Sequence, residues 1–183
     1  SGYFSPLDPN TFLDKVVGAD QQPTMANWQP TGAQALVAAS ILRTGGGIVG
    51  KVRVWDIATG QALVGQQFST SPDAARRLAH ILADQVYIAL TGFKGFFDSR
   101  IVYVDESGPK DKRVKRLAIM DQDGANSRYL TKGNDLVLTP RFNPSSQEIV
   151  YMSYSGDQPG VYLLNISTGQ RELVGKFPGM TFA

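Results

Sequence analysis

The chain has 183 residues, 42% hydrophobic and 19% charged, which is the balance of an ordinary globular protein and not of a disordered or collagen-like one. It contains no cysteine, which excludes disulfide frameworks, thiolate zinc sites, iron–sulfur clusters and cysteine nucleophiles. Its 18 basic and 16 acidic residues leave a net charge of only +2, so we predict no nucleic-acid partner.

The sequence begins without an initiator methionine and without a basic-then-apolar leader. Residues 1–4 read like the interior of a domain, and we expect the sequence to be cut at this end. No apolar run approaches the roughly 18 residues that a membrane helix needs, so we predict a chain that does not span a membrane.

Residues 34–69 predict a meander of three strands. Two runs rich in Val, Ile, Leu and Ala, at 34–43 and 48–57, are separated by a threonine and three glycines, which favours a hairpin. A turn at 58–61 then leads into a third strand at 62–69.

A helix is predicted after this meander. Ser71 is a candidate N-cap, and Pro72 suits the first helical position. Gly92 predicts the helix end. Seven apolar residues share one face at a spacing of about 3.6 and predict the side that packs on the strands: Ala75, Leu78, Ala79, Leu82, Val86, Ala89 and Leu90.

The second half of the chain contains an internal repeat. The run at 100–103 recurs at 148–151, and the run at 117–120, with Asp-Gly after it, recurs at 161–164 with Thr-Gly after it. A period of about 44 residues with four short strands per unit is typical of a β-propeller blade.

The two copies differ in the number of strands that they predict. The second copy predicts all four, at 139–143, 148–153, 160–166 and 171–175. The first copy predicts only three, because residues 91–96 contain two glycines and no alternation, and its innermost strand must come from elsewhere. Fewer than two blades cannot close a ring, so we expect the sequence to be cut at both ends.

Few residues suggest chemistry. A single histidine, His80, cannot form a histidine-pair metal site. Its place on the polar helix face predicts a solvated side chain, which argues against a role in a serine triad. Residues 121–126 resemble the opening of a calcium loop, but Lys132 stands where a glutamate is needed, and a hairpin turn explains the Asp-Gly pair more simply. We predict no catalytic residue, no metal site and no cofactor.

A basic cluster lies in the long loop of the first copy, at residues 110–116. Its five positive charges within seven residues suit either a solvated loop or a contact with an anionic partner or membrane surface. The sequence leaves both interpretations open.

Three stretches of the sequence carry a resemblance to a known family: residues 1–8; 90–95 with Phe97 and 100–104; and 139–144 with 149–151. They resemble the TolB family, the periplasmic propeller proteins of the bacterial Tol-Pal cell-envelope system, and the similarity extends over nearly the whole chain. The family's turn before the second strand usually contains Asp-Gly, and this chain has Asn-Pro-Ser-Ser-Gln there, which weakens the turn signature but leaves the strand order unchanged.

The resemblance implies an α+β fold in which an incomplete N-terminal α/β layer domain precedes the first blades of a six-bladed β-propeller. We place the N-terminal domain at 1–96 and the start of the propeller at 97–183, with a first blade that lacks its inner strand and a second blade. It also implies a periplasmic location and the absence of catalysis.

The resemblance further implies two protein partners. In the family, the propeller mouth binds the lipoprotein Pal, and the N-terminal region contacts TolA through a segment that would precede residue 1 here. Pal-binding residues come largely from the loops that enter the innermost strands, which are 133–138 and 178–182 in this chain. The candidate partner-binding residues are therefore Leu136, Val137, Met180 and Thr181.

These implications predict a non-enzymatic scaffold that supports outer-membrane integrity and envelope constriction at cell division. The alternative is a propeller-linked hydrolase of the peptidase type, whose catalytic residues would have to lie after residue 183. A third interpretation is a calcium- or sugar-binding propeller.

Overall fold

A computed structural model of the protein describes residues 2–15, 18–155 and 158–177. The chain divides into two compact units, Ser1–Asp98 and Ser99–Ala183. The first combines a sheet with a helix and the second consists of antiparallel sheets, so the fold is α+β, as predicted. The division falls after Asp98, whereas the sequence placed it after Phe96.

The first unit contains a three-stranded antiparallel sheet in the order β1-β2-β3. β1 spans Ala35–Thr44, β2 spans Gly47–Asp56 and β3 spans Ala62–Thr70, which confirms the predicted meander. Short 3-10 turns at Pro9–Thr11, Met25–Asn27 and Gln29–Thr31 precede the sheet.

Helix α1, Ala75–Thr91, follows a 3-10 turn at Pro72–Ala74 and ends at Gly92, whose φ is 74°. It covers one face of the sheet, where its buried Leu78 and Leu82 pack against Ile48 and Val52. Burial of each such side chain contributes about 1.5–3 kcal/mol to stability. The packing is close, because a Cβ on Gly50 would come within 2.9 Å of the Leu78 side chain.

Two details of this helix differ from the prediction. The Ser71 side chain forms no capping hydrogen bond; instead its backbone carbonyl accepts from the Ala74 amide in the 3-10 turn. Tyr87, which lies outside the predicted apolar face, is buried, whereas Ala79 within that face is exposed. Tyr87 is buried because aromatic rings surround it, with Tyr3 at 5.7 Å and Phe96 at 5.5 Å between ring centroids.

The opposite face of the sheet is covered by the segment that precedes it. Trp28 packs there against Leu36, Ala38 and Trp55, with Met25 at the edge of the cluster. The first unit therefore has three layers, in which the sheet lies between helix α1 and the 3-10 turns.

The second unit contains two antiparallel sheets, one for each copy of the repeat. The first sheet has the order β4-β5-β6, and the second has the order β10-β9-β8-β7. This confirms three strands in the first copy and four in the second, and in the described part of the chain no strand pairs with the free edge of β4. The strands are β4 Arg100–Ser107, β5 Val114–Asp121, β6 Arg128–Tyr129, β7 Leu136–Phe142, β8 Glu148–Tyr154, β9 Pro159–Asn165 and β10 Arg171–Lys176.

Apolar side chains of the two sheets meet face to face. Leu117 of the first sheet packs against Val137, Tyr151 and Leu164 of the second, and a neighbouring cluster joins Ile119 to the same sheet. Each blade thus supplies one wall of a shared core, as in stacked repeats.

Candidate functional site

The candidate partner-binding segment, residues 133–138, is called loop 133–138 below, but only its first three residues precede a strand. β7 begins at Leu136 and not at Thr139 as predicted, so Leu136 and Val137 are its first residues and pair with β8. β7 is the edge strand that corresponds to the innermost strand of a propeller blade. It contains two of the predicted site residues, Leu136 and Val137. The other two, Met180 and Thr181, lie outside the described residues, as does the whole of the second predicted loop at 178–182.

Gly133 fixes one end of the loop against the neighbouring sheet. A Cβ at this position would lie 2.6 Å from Cγ1 of Val114 and 3.0 Å from Cγ of Arg116, and its φ of 87° is left-handed. Both the space and the backbone conformation therefore require glycine here.

Two polar contacts strengthen this attachment to β5. The Leu117 amide donates to the Thr131 hydroxyl oxygen at 3.0 Å, and Nε of Arg116 donates to the carbonyl of Lys132 at 3.4 Å. The Arg116 guanidinium also lies 5.0 Å from the ring centroid of Tyr129, a cation–π contact. The start of the loop is thus held from the first sheet.

Asp135 fixes the loop to its own sheet from the other side. Its Oδ2 accepts a hydrogen bond from the Ser153 hydroxyl at 3.3 Å and forms an ion pair with Nη1 of Arg171 at 3.2 Å. Ser153 belongs to β8 and Arg171 to β10. The loop is therefore anchored to both sheets, which lowers the entropy that it loses when it binds a partner.

The two predicted site residues in the loop point to different environments. Leu136 is 42% exposed, whereas Val137 is only 2% exposed and packs against Leu117, Tyr151 and Leu164. A partner at the surface can contact the Leu136 side chain, and Val137 belongs to the core beneath it.

A β-bulge follows the loop within β7. Thr139 has a φ of 45°, and the register with β8 shifts between Leu138 and Arg141. A positive φ at a β-branched residue is strained, and bulges redirect the chain next to binding surfaces. The bulge bends β7 after Leu138, two residues beyond Leu136.

A buried tyrosine lies below the anchored loop. Tyr151 is 2% exposed, and its hydroxyl has no hydrogen-bond partner among the described residues. Burial raises the pKa of Tyr151 above its usual range, while the nearby Arg171 guanidinium lowers this pKa and the Asp135 carboxylate raises it. The neutral phenol is therefore favoured at physiological pH.

The basic cluster at 110–116 is partly neutralised. Glu106 lies 3.6 Å from Arg113 and 3.6 Å from Lys115, and Arg116 is engaged with Tyr129 as described above. One glutamate offsets only one of the five positive charges, and the cation–π contact offsets none, so the solvated-loop and the anion-binding interpretations both stay open.

The residues that resembled a calcium loop form a turn between β5 and β6. Oδ2 of Asp121 accepts from the Asn126 side-chain amide at 2.6 Å, and Oδ1 of Asp123 accepts from the Ala125 amide at 3.1 Å. Among the described residues, no three histidine, cysteine or acidic side chains gather in a group that could hold a metal ion.

The part of the chain that the structure describes contains no helix with the length and apolarity needed to cross a membrane. His80 lies half-buried on helix α1 and engages neighbouring groups, so it is not the fully solvated side chain that the helix pattern predicted.

Comparisons with known protein families agree with both halves of the fold. A family model for the TolB amino-terminal domain matches residues 1–63. A second model, for the TolB β-propeller domain, matches residues 87–183, which is more than half of the chain. The chain belongs to the TolB family. This confirms the resemblance inferred from the sequence.

Among solved structures, TolB from Acinetobacter baumannii is similar to this chain with 29% sequence identity and a TM-score of 0.80. The match covers 92% of this chain and 42% of that one, so the chain spans less than half the length of that TolB protein.

Two further structures are similar at lower scores. An oligogalacturonate lyase in complex with manganese matches with 16% identity and a TM-score of 0.38, covering 81% of this chain and 40% of that one. The β-propeller domain of the trilobed protease from Pyrococcus furiosus matches with 9% identity and a TM-score of 0.33, covering 82% and 41%. Both likenesses are too weak to support an argument about function.

The sequence analysis missed several residues that hold loop 133–138. Asp135 and Arg171 were not singled out, because their ion pair joins positions on different strands that no spacing rule relates. Gly133 could have been suspected as a turn glycine, but its contact with Val114 depends on the packing of two sheets.

Proposed function

We propose that this chain is part of a non-enzymatic periplasmic scaffold of the Tol-Pal system, which binds Pal through its propeller. The observation that supports this most strongly is the membership of both halves in the TolB family. In this role the protein would support outer-membrane integrity and envelope constriction at cell division.

Within the propeller, we assign Pal binding to loop 133–138. The loop is held to β5 by Gly133 and to β8 and β10 by Asp135, and it presents Leu136 at the surface. A partner that buries this apolar side chain gains about 1.5–3 kcal/mol, and the fixed backbone lowers the entropy cost of binding. Met180 and Thr181 remain predicted members of the same surface.

TolA is proposed as a second partner, bound through the N-terminal region. The resemblance places the contacting segment before residue 1, so we assign no residue of this chain to it. The domain limits at 1–96 and 97–183 are part of the same proposal.

The propeller-linked hydrolase receives no support from the described residues. Its nucleophile, on an elbow of the Gly-x-Ser-x-Gly type, and its catalytic histidine and aspartate would all have to lie beyond residue 183. We therefore keep the scaffold as the proposed function.

A calorimetric titration of the full-length protein with purified Pal at low salt tests this proposal. We expect saturable binding, and we expect Leu136→Asp to weaken it by about tenfold or more, as loss of an interface anchor does. Leu63 of β3 has a similar exposure of 48%, so Leu63→Asp is a matched control that should bind Pal normally. Absence of binding by the wild-type protein would refute the proposal.

A further inference from the structure

Arg171 connects the outer strand of the second blade to the loop at its inner strand. Its Nη1 lies 3.2 Å from Oδ2 of Asp135, although β10 and β7 lie at opposite edges of the sheet order β10-β9-β8-β7. The long arginine side chain thus extends across β9 and β8. It is the feature that ties the loop to the far side of its own blade.

Aromatic rings support this long side chain. The Arg171 guanidinium carbon lies 3.6 Å from the ring centroid of Tyr162 and 5.8 Å from that of Tyr151. The two rings are stacked, with centroids 5.9 Å apart and an interplanar angle of 29°. A planar guanidinium on an aromatic face has fewer orientations than a free side chain, so its hydrogen-bonding direction is set before it meets Asp135.

Ser153 is the second residue that holds Asp135. It is fully buried at 0% exposure, and its hydroxyl donates to the same Oδ2 of Asp135 at 3.3 Å. Asp135 is therefore held by a rigid buried donor and by a stacked guanidinium. Leu136 follows it directly in the chain and is the first residue of β7, where it pairs with Tyr154 of β8. Asp135 therefore sets the direction in which the chain enters the strand at Leu136.

The contribution of this ion pair to global stability is expected to be small. The Arg171 and Asp135 side chains are 36% and 27% exposed, and partly exposed pairs contribute little to the free energy of unfolding. Breaking such a network changes the free energy of unfolding only slightly, but the network can still restrict the motion of the loop that it holds.

We propose that Arg171 is a positioning residue for loop 133–138, the loop to which the proposed function assigns Pal. Its guanidinium, fixed on Tyr162, holds Asp135 and thereby presents Leu136 in the conformation that a partner meets. The partner in this inference, Pal, rests on the proposed function. The effect of Arg171 on the loop does not depend on it.

The experiment compares four variants of the full-length protein with the wild type: Arg171→Ala, Arg171→Lys, Asp135→Asn and the double variant Arg171→Ala/Asp135→Asn. Two quantities are measured for each, namely Pal affinity by calorimetry and hydrogen exchange at the Asp135 and Leu136 amides. Glu172→Ala is the control, because Glu172 is the exposed neighbour on β10.

We expect Arg171→Ala to weaken Pal binding by about tenfold and to accelerate exchange at both amides. Arg171→Lys should restore part of the affinity, since lysine keeps the charge but lacks the planar stacking group. The double variant should bind Pal no more weakly than the single variant with the larger loss of affinity, because both changes remove the same contact.

A local role is distinguished from a structural one by the remaining measurements. Tyr151 titrates in the field of Arg171, so Arg171→Ala should raise the pKa of Tyr151 in an NMR titration with labelled tyrosine. Exchange in β8 and β9 should stay at wild-type rates. If Arg171→Ala unfolds the protein, Pal affinity and hydrogen exchange in Arg171→Lys and Asp135→Asn decide in its place.

Two results would overturn the inference. One is wild-type Pal affinity in Arg171→Ala while Leu136→Asp abolishes binding, which leaves the proposed function intact. The other is unchanged exchange at Asp135 and Leu136. If the wild-type protein does not bind Pal, the proposed function fails, and exchange in the loop alone decides whether Arg171 positions it.

Discussion

The Asp84 carboxylate of helix α1 accepts a hydrogen bond from the Phe97 amide at 2.8 Å. Its second oxygen accepts from the Asp98 amide at 3.1 Å, and the Asp98 carboxylate in turn pairs with Arg77 at 3.1 Å. The last residues of the first unit are therefore fastened to the polar side of its helix, and they do not form a free linker.

We predict that Asp84→Asn loosens this attachment. The amide side chain keeps one acceptor but places an N–H group against a backbone donor, which should lower the free energy of unfolding by about 1–3 kcal/mol. Denaturant unfolding measures the loss, and hydrogen exchange at the Phe97 and Asp98 amides shows where it arises. Asp73→Asn, near the start of the same helix, is the control and should cost about 0.5 kcal/mol. Equal losses in the two variants would contradict the prediction.

Gly95 is required by the same carboxylate. A Cβ at this position would lie 2.1 Å from Oδ1 of Asp84, so Gly95→Ala must displace the segment or the aspartate. We expect a loss of about 1–3 kcal/mol that is not additive with Asp84→Ala, because removing the carboxylate makes room for the methyl group. Gly46→Ala is the control, since nothing lies within 4 Å of its Cβ. Additive losses would show that the close approach is not the cause.

Gly133 should be intolerant of substitution for two separable reasons. Gly133→Ala introduces both a left-handed alanine and a contact of 2.6 Å with Val114, whereas Gly124→Ala, at a φ of 85° with open space, introduces only the first. We expect about 1 kcal/mol of destabilisation for Gly124→Ala and about 1–3 kcal/mol more for Gly133→Ala. Thermal and denaturant unfolding provide the comparison. Equal effects would mean that the loop does not pack on β5 as described.

Asp56 provides a prediction about pH. Hydrogen bonds from the backbone and the hydroxyl of Thr59 hold the pKa of Asp56 below its ordinary value of 3.8. Because the native pKa is the lower one, this contribution to stability is present above a pH of about 4 and is lost as the pH falls through the native pKa.

We therefore expect Thr59→Ala to raise the pKa of Asp56 toward 3.8 in an NMR titration of its carboxyl carbon, because the hydroxyl donor is removed. Thr44→Ala, in the hairpin turn, should leave this pKa unchanged. A wild-type Asp56 that titrates at or above 3.8 would contradict the assignment.

The sequence predicted the strands and the repeat well, and physical reasons explain why. The glycine turn between β1 and β2 and the β-branched runs around it are local signals, and the repeat at 100–103 and 148–151 is visible without knowledge of contacts. Local propensity and periodicity were enough for these elements.

The missed features depend on residues that are distant in the chain. Tyr87 is buried by Tyr3 and Phe96, so the helix pattern alone placed it wrongly. The bulge at Thr139 and the ion pair between Asp135 and Arg171 arise only when the strands of the second sheet are assembled. Residues 133–138 stay a predicted binding segment, and neither the start of β7 at Leu136 nor the anchoring by Asp135 could be predicted from the sequence.

Hydrogen exchange of the full-length protein, with and without saturating Pal, tests the central claim most directly. Loop 133–138 is predicted to carry the Pal contact, so its amides should exchange more slowly in the complex, with Leu136 among the most protected. No change on addition of Pal, or protection confined to other parts of the chain, would contradict the account.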